Sequence, residues 1–85
     1  MIKGLANAPP QSDTVTDYDR AHLKLYLRLL DSADEGADWR EASRILFEID
    51  AAREADLARQ IYDAHLSRAR WMTARGYLDL LNKTN

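Results

Sequence analysis

The chain has no cysteine, and its 85 residues include only three glycines, two prolines and two histidines. Without cysteine there is no disulfide framework, no thiolate ligand and no thiol nucleophile. Scarce glycine and few β-branched residues favour helices over a sheet. No glycine-rich phosphate loop is present, and Ser12, Ser32, Ser43 and Ser67 stand in no nucleophile-elbow or triad pattern. His22 and His65 lack the HExxH spacing of a zinc site, and each reads as an edge-of-core imidazole with a satisfied hydrogen bond. No apolar run is long enough to span a bilayer. Met1-Ile2-Lys3 is followed by glycine, asparagine and two prolines rather than a signal-peptide core. The expectation is a cytoplasmic protein without enzymatic activity, cofactor, metal, small-molecule substrate or membrane contact.

What is present is a 46% hydrophobic chain of net charge −2. A single domain of this size buries only about 60% of its unfolded surface, so its stability margin is thin. The charge is segregated. From Leu57 to Gly76 four arginines (Arg59, Arg68, Arg70 and Arg75) face Asp63 alone, whereas Asp31 to Asp56 carries nine acids against Arg40, Arg44 and Arg53. A basic helix beside an acidic segment, with no catalytic equipment, points to a macromolecular partner.

Residues 1–16 have no apolar period and contain Pro9-Pro10, which reads as a flexible N-terminal arm. Residues 17–81 read as an all-α domain and residues 82–85 as a frayed end. Thr16 or Asp17 caps a first helix running to about Ala33, stopped by Gly36. At 100° per residue, Arg20, Lys24, Arg28 and Asp31 form one narrow polar strip, while the apolar residues cover about 240° of arc. That is wider than one-sided packing needs, so this helix is either central or touches something outside the chain. Asp38 and Glu41 form a variant capping box for a second helix, with Trp39, Ala42, Ile45, Leu46 and Ile49 as its stripe and Phe47 outside it. Asp50 to Glu54 is a turn or the start of the next helix. A third helix runs from about Ala55 to Arg75, with Leu57, Ile61, Ala64, His65, Ala69 and Met72 inward and Arg59, Asp63, Leu66, Arg70 and Thr73 outward. Arg68 and Arg75 fall near the inward arc, with stems along the core and guanidinium groups released to solvent or an acid. Trp39 and Trp71 read as core, and Tyr77 to Leu81 as a short closing turn or helix. Three to four helices with a basic third suggest a helix-turn-helix-like bundle with an extended turn.

Two surfaces compete on this reading. Arg59 and Arg70 on the third helix, with Arg20, Lys24 and Arg28 on the first, suit phosphates or guanine edges. Asp63 would repel a phosphate backbone, and a net acidic monomer offers few phosphate contacts, so DNA binding by this chain alone is unexpected. Leu27, Phe47 and Leu66, outside the inferred core, suit a protein contact instead.

The segments YDRAHLKLYLRLLD (Tyr18–Asp31), GADWREASRILFEID (Gly36–Asp50) and AHLSRARWMTARGYLDLL (Ala64–Leu81) together resemble the proteobacterial domain of unknown function 2285. The resemblance implies a variant helix-turn-helix module of integrative and conjugative elements. Short single-domain members include an antiactivator, so the resemblance implies inhibition by binding the transcriptional activator of element excision and transfer. A quorum-sensing activator of the LuxR or TraR type is a further implied partner. On that resemblance the chain is expected to be an antiactivator, with a small DNA-binding helix-turn-helix regulator as the alternative.

Overall fold

The computed structural model of the chain describes residues 1–76, and the sequence-predicted closing turn at Tyr77 to Leu81 lies outside them. Helices are the regular secondary structure of the described part, which has no strands. Helices α1 (Asp17–Ala21), α2 (Leu23–Asp34), α3 (Trp39–Ala42) and α4 (Ala55–Trp71) are joined by short connections, and α3 and α4 each run on into a π-helical turn, Ser43–Phe47 and Met72–Gly76.

The first helix is two helices. Thr16 caps α1 by accepting from the Asp19 N–H at 3.2 Å, while the Asp19 carboxylate accepts from the Thr16 N–H at 2.9 Å, a reciprocal capping box. The ladder breaks after one turn at His22, whose backbone (φ −116°, ψ 18°) leaves the helical region. Its Nδ1–H donates to the Tyr18 carbonyl at 2.8 Å, competing with continued helix at that point. Helix α2 then stops at Gly36 (φ 74°), a conformation that favours glycine, where the Gly36 N–H reaches the Ala33 carbonyl at 3.1 Å.

Asp38 caps α3 by accepting from the Arg40 N–H at 2.8 Å. The helix widens into its π turn and ends at Glu48, which is left-handed with φ 57°. Widening changes the angular step, so faces drawn at 100° per residue fail beyond Ser43. Phe47, placed outside the core by that rule, is fully buried, and Ile45, placed in the stripe, is 60% exposed. Leu66 is also buried, at 7%. The outward sector of α4 runs from Arg59 to Gln60, about 100° wide, and Leu66 falls just past its edge.

Helix α2 lies against α4, and Leu29, Phe47, Ile49, Ala58 and Ile61 form the centre of the main core. A smaller cluster of Val15, Tyr26, Ala69 and Met72 adjoins it. Residues 1–16 are packed on this body rather than being a free arm. Leu5, Pro9 and Val15 are buried, the Ile2 N–H donates to the Phe47 carbonyl at 2.9 Å, and the Ala6 N–H donates to the Tyr18 hydroxyl at 3.0 Å. Isolated anchors of this kind leave no periodic signal in sequence.

A buried ion pair holds the segment. Arg68 donates from Nη2 to Asp19 Oδ2 at 2.7 Å and from Nε to Oδ1 at 3.0 Å. Its remaining donors reach the Ser12 and Thr14 carbonyls at 2.7 and 3.0 Å, and its guanidinium lies 3.9 Å from the Trp71 ring centroid. The Arg68 stem therefore follows the core as the sequence predicts, but the head is enclosed with its acid. Burial opposes the Asp19 charge. The bond from Arg68, with those from Thr16 and Tyr26, overcomes it and holds the carboxyl at about 2 instead of 3.8. The same Asp19 bond pushes Arg68 up, and burial pushes the Tyr26 phenol up.

His65 is fully buried among Tyr18, Tyr26 and Phe47, and His22 stacks on Tyr18. Its Nδ1–H donates to the Ile61 carbonyl at 2.8 Å, so Nε2 accepts from the Tyr18 hydroxyl at 2.6 Å. The imidazole is neutral, and burial depresses its pKa below 6.5. The unfolded chain therefore takes up this proton first, and stability declines as pH falls below about 6.5. The Asp19 contribution is whole above 3.8 and drains away toward about 2. The urea midpoint should therefore drop between about pH 7.5 and 5 and again below about pH 4. A level midpoint from 7.5 to 5 would mean that His65 protonates in place.

Ser43 Oγ is buried without a hydrogen-bond partner among the described residues. Ser43→Ala should raise stability by about 1 kcal/mol, read from the denaturant midpoint. A loss of that size would reveal a partner for the hydroxyl.

Candidate nucleic-acid interface

Helix α3, its π turn, the connection 48–54 and α4 form a helix-turn-helix arrangement with a long turn. The ambiguous Asp50 to Glu54 stretch is a turn. Asp50 Oδ1 accepts from the Ala52 N–H at 3.0 Å, and the Asp50 carbonyl accepts from the Arg53 and Glu54 N–H groups. These bonds set the entry into α4 without a side-chain cap at Glu54.

One side of α4 is committed to the core through Ala58, Ile61, Tyr62, His65 and Ala69. The other presents Asp56, Arg59, Gln60, Asp63, Ser67 and Arg70 to solvent. Near the helix start Arg59 is oriented twice. Its Nε–H donates to Asp63 Oδ2 at 3.0 Å, and its guanidinium lies 5.0 Å from the Trp39 ring centroid. Arg40 approaches the same ring at 4.9 Å. Trp39 is half-buried and packs against the core, so it joins the first helix of the motif to the second while contacting both cations. Trp71 is likewise half-buried beneath Arg68.

An oriented arginine on the first turns of an exposed helix suits bidentate bonding to guanine O6 and N7. Gln60 beside it has the donor and acceptor that adenine N6 and N7 require, and Asp63 can accept from cytosine N4. Arg70 on this sector, Arg40 beside Arg59 at Trp39, and Arg44 four residues beyond Arg40 are exposed cations that can meet phosphates. Arg40 and Arg44 sit in solvent-exposed pairs with Asp38 and Glu41 at 3.6 and 3.9 Å, which a phosphate can replace at little cost. Among the described residues Arg70 has no ion pair. The turn is acidic, with Glu48, Asp50 and Glu54 around Arg53.

The five sequence-predicted cations do not form one surface. Arg59 and Arg70 share the outward sector of α4. Lys24 and Arg28 lie on α2 beside Ile45, Leu46 and Glu48, and Arg20 is paired with Asp17 at 2.9 Å. Of the three expected protein-contact residues, Leu27 is exposed at 61%, whereas Phe47 and Leu66 belong to the core. Gln60 and the Trp39–Arg40 pair escaped the sequence reading. Gln60 carries no charge, and Trp39 looked like a core residue, although the neighbouring arginine offered a signal for stacking. Among the described residues no group of histidine, aspartate and glutamate is placed to hold a metal ion, and no helix is long and apolar enough to cross a membrane.

Residues 2–82 match the family model described as "T6SS, Transcription factor, DNA binding domain", that of the RovC-type domains. No curated protein and no solved structure matches the chain. The match overturns the expectation that DNA binding by the chain alone is improbable. That expectation rested on the net charge of the chain and on Asp63 between Arg59 and Arg70. The outward sector of α4 is itself balanced, Arg59 and Arg70 against Asp56 and Asp63, and base reading by Arg59 depends on its donor pattern rather than on total charge.

Proposed function

The chain belongs to the RovC-type family of DNA-binding domains of transcription factors, and from that premise we propose that it is a DNA-binding regulatory domain with α4 as its recognition helix. Arg59 and Gln60 read base edges in the major groove, while Arg40, Arg44 and Arg70 grip phosphates. The family match carries the reading, and the oriented Arg59 on the exposed sector of α4 agrees with it.

Duplexes selected from a random pool, followed by fluorescence anisotropy across a salt series, test it. Three phosphate contacts correspond to a log–log slope of about −2.7, which is about a 40-fold loss of affinity between 50 and 200 mM salt. Failure to enrich any sequence, with weak binding indifferent to salt, would refute the proposal.

The narrower reading, an antiactivator that binds the activator of a mobile element or a LuxR- or TraR-type regulator, has less support. It leaned on a shortage of positive charge that the family match answers, and two of its three contact residues are buried. Of the three, the exposed Leu27 remains compatible with it.

A further inference from the structure

We propose that the outer face of α2 pairs antiparallel with the same face of a second copy of this chain. Leu23 and Leu27 are 37% and 61% exposed, and with Leu30 they fill a narrow sector at four- and three-residue spacing. Beside the row the buried Tyr26, Ala69 and Met72 floor a shallow apolar recess of about 160 Å³. Such a row on an outer helix is the seam of a helix pair.

The charges on α2 decide the occupant. Its cations, Lys24 and Arg28, lie in the first half and its acids, Asp31 and Asp34, in the second, with no acid in the first turn and no base in the last. This order opposes the helix's own dipole. None of the four forms an ion pair among the described residues. A two-fold axis beside Leu27 reverses the second helix, so each copy's cationic half lies along the other's acidic half and the dipoles oppose. Lys24 and Asp31 fall on the same flank of the seam, three and four residues from Leu27 in opposite directions. The rotation keeps a flank on its own side, so Lys24 meets the partner's Asp31, and the pair occurs twice. The sequence is wrong for an isolated α2 and right for an antiparallel copy of itself. The seam is small, so association is reversible and concentration-dependent.

Sedimentation equilibrium of the full chain without DNA, from about 10 µM to 1 mM, tests the pairing independently of any nucleic-acid role. The mean mass should rise from 9.7 kDa toward twice that value. Leu27→Asp should raise the dissociation constant at least about tenfold with unchanged helical circular dichroism. Lys24→Asp and Asp31→Lys should each weaken association about fivefold, and the combined swap should restore it to within about twofold. A monomeric mass throughout would overturn the proposal. So would a dimer indifferent to Leu27→Asp, or a swap that fails to rescue. A monomeric wild type that dimerises only as Leu80→Asp/Leu81→Asp would assign the seam to the chain's own last residues, which also overturns it.

Discussion

Replacing Asp19 with alanine should cost about 3–5 kcal/mol, much of the stability of a domain this small. The carboxylate is fully buried and accepts five hydrogen bonds, two from Arg68, two from Thr16 and one from Tyr26. Its removal strands a buried guanidinium and leaves α1 without half of its capping box. Arg68→Met should be comparably damaging, because it leaves an uncompensated carboxylate and frees the Ser12 and Thr14 carbonyls. The double variant Asp19→Ala/Arg68→Met should cost clearly less than the sum of the two, since neither charge is then left alone. Thermal and urea unfolding of the three variants measure this. Additive losses would show that the pair is not the unit that ties residues 1–16 to α4.

Arg59→Ala should weaken binding to a selected duplex by about 1–3 kcal/mol, or about 5- to 150-fold, with no comparable loss of stability. Its bond to Asp63 is solvent-exposed and adds little to folding. Arg59→Lys should not rescue, because an ammonium cannot form the bidentate pair. Arg70→Ala should act differently, weakening all sequences alike and reducing the salt slope by about 1. Competition anisotropy with matched and substituted duplexes separates these outcomes. A uniform loss for Arg59→Ala would demote it from base reader to phosphate contact.

Much of the architecture was legible. The Thr16 and Asp38 caps, the Gly36 stop and the apolar period of α4 all follow from local chemistry that the final fold keeps. What escaped depends on hydrogen bonds or turns that a fixed angular step cannot represent. The break at His22 comes with a side-chain bond to the Tyr18 carbonyl, and the π turn at Ser43–Phe47 exchanges the faces of Ile45 and Phe47. Residues 1–16 were unreadable because two of their anchors, Phe47 and Arg68, lie far along the chain. The candidate interface was half visible. Arg59 and Arg70 stood out by charge, but Arg40 could be joined to Arg59 only once Trp39 was seen between them. Net charge misled because it says nothing of which donors face a base edge, and the outward sector of α4 is balanced between Arg59, Arg70 and Asp56, Asp63.

The central claim is that α4 is the surface that meets DNA, and mapping amide chemical shifts while a selected duplex is added tests it most directly. The largest changes should run along Asp56 to Asp63, with smaller ones at Arg40 and Arg70, while Leu23 to Leu30 stay nearly still. Changes centred on α2 with α4 unmoved would contradict the account.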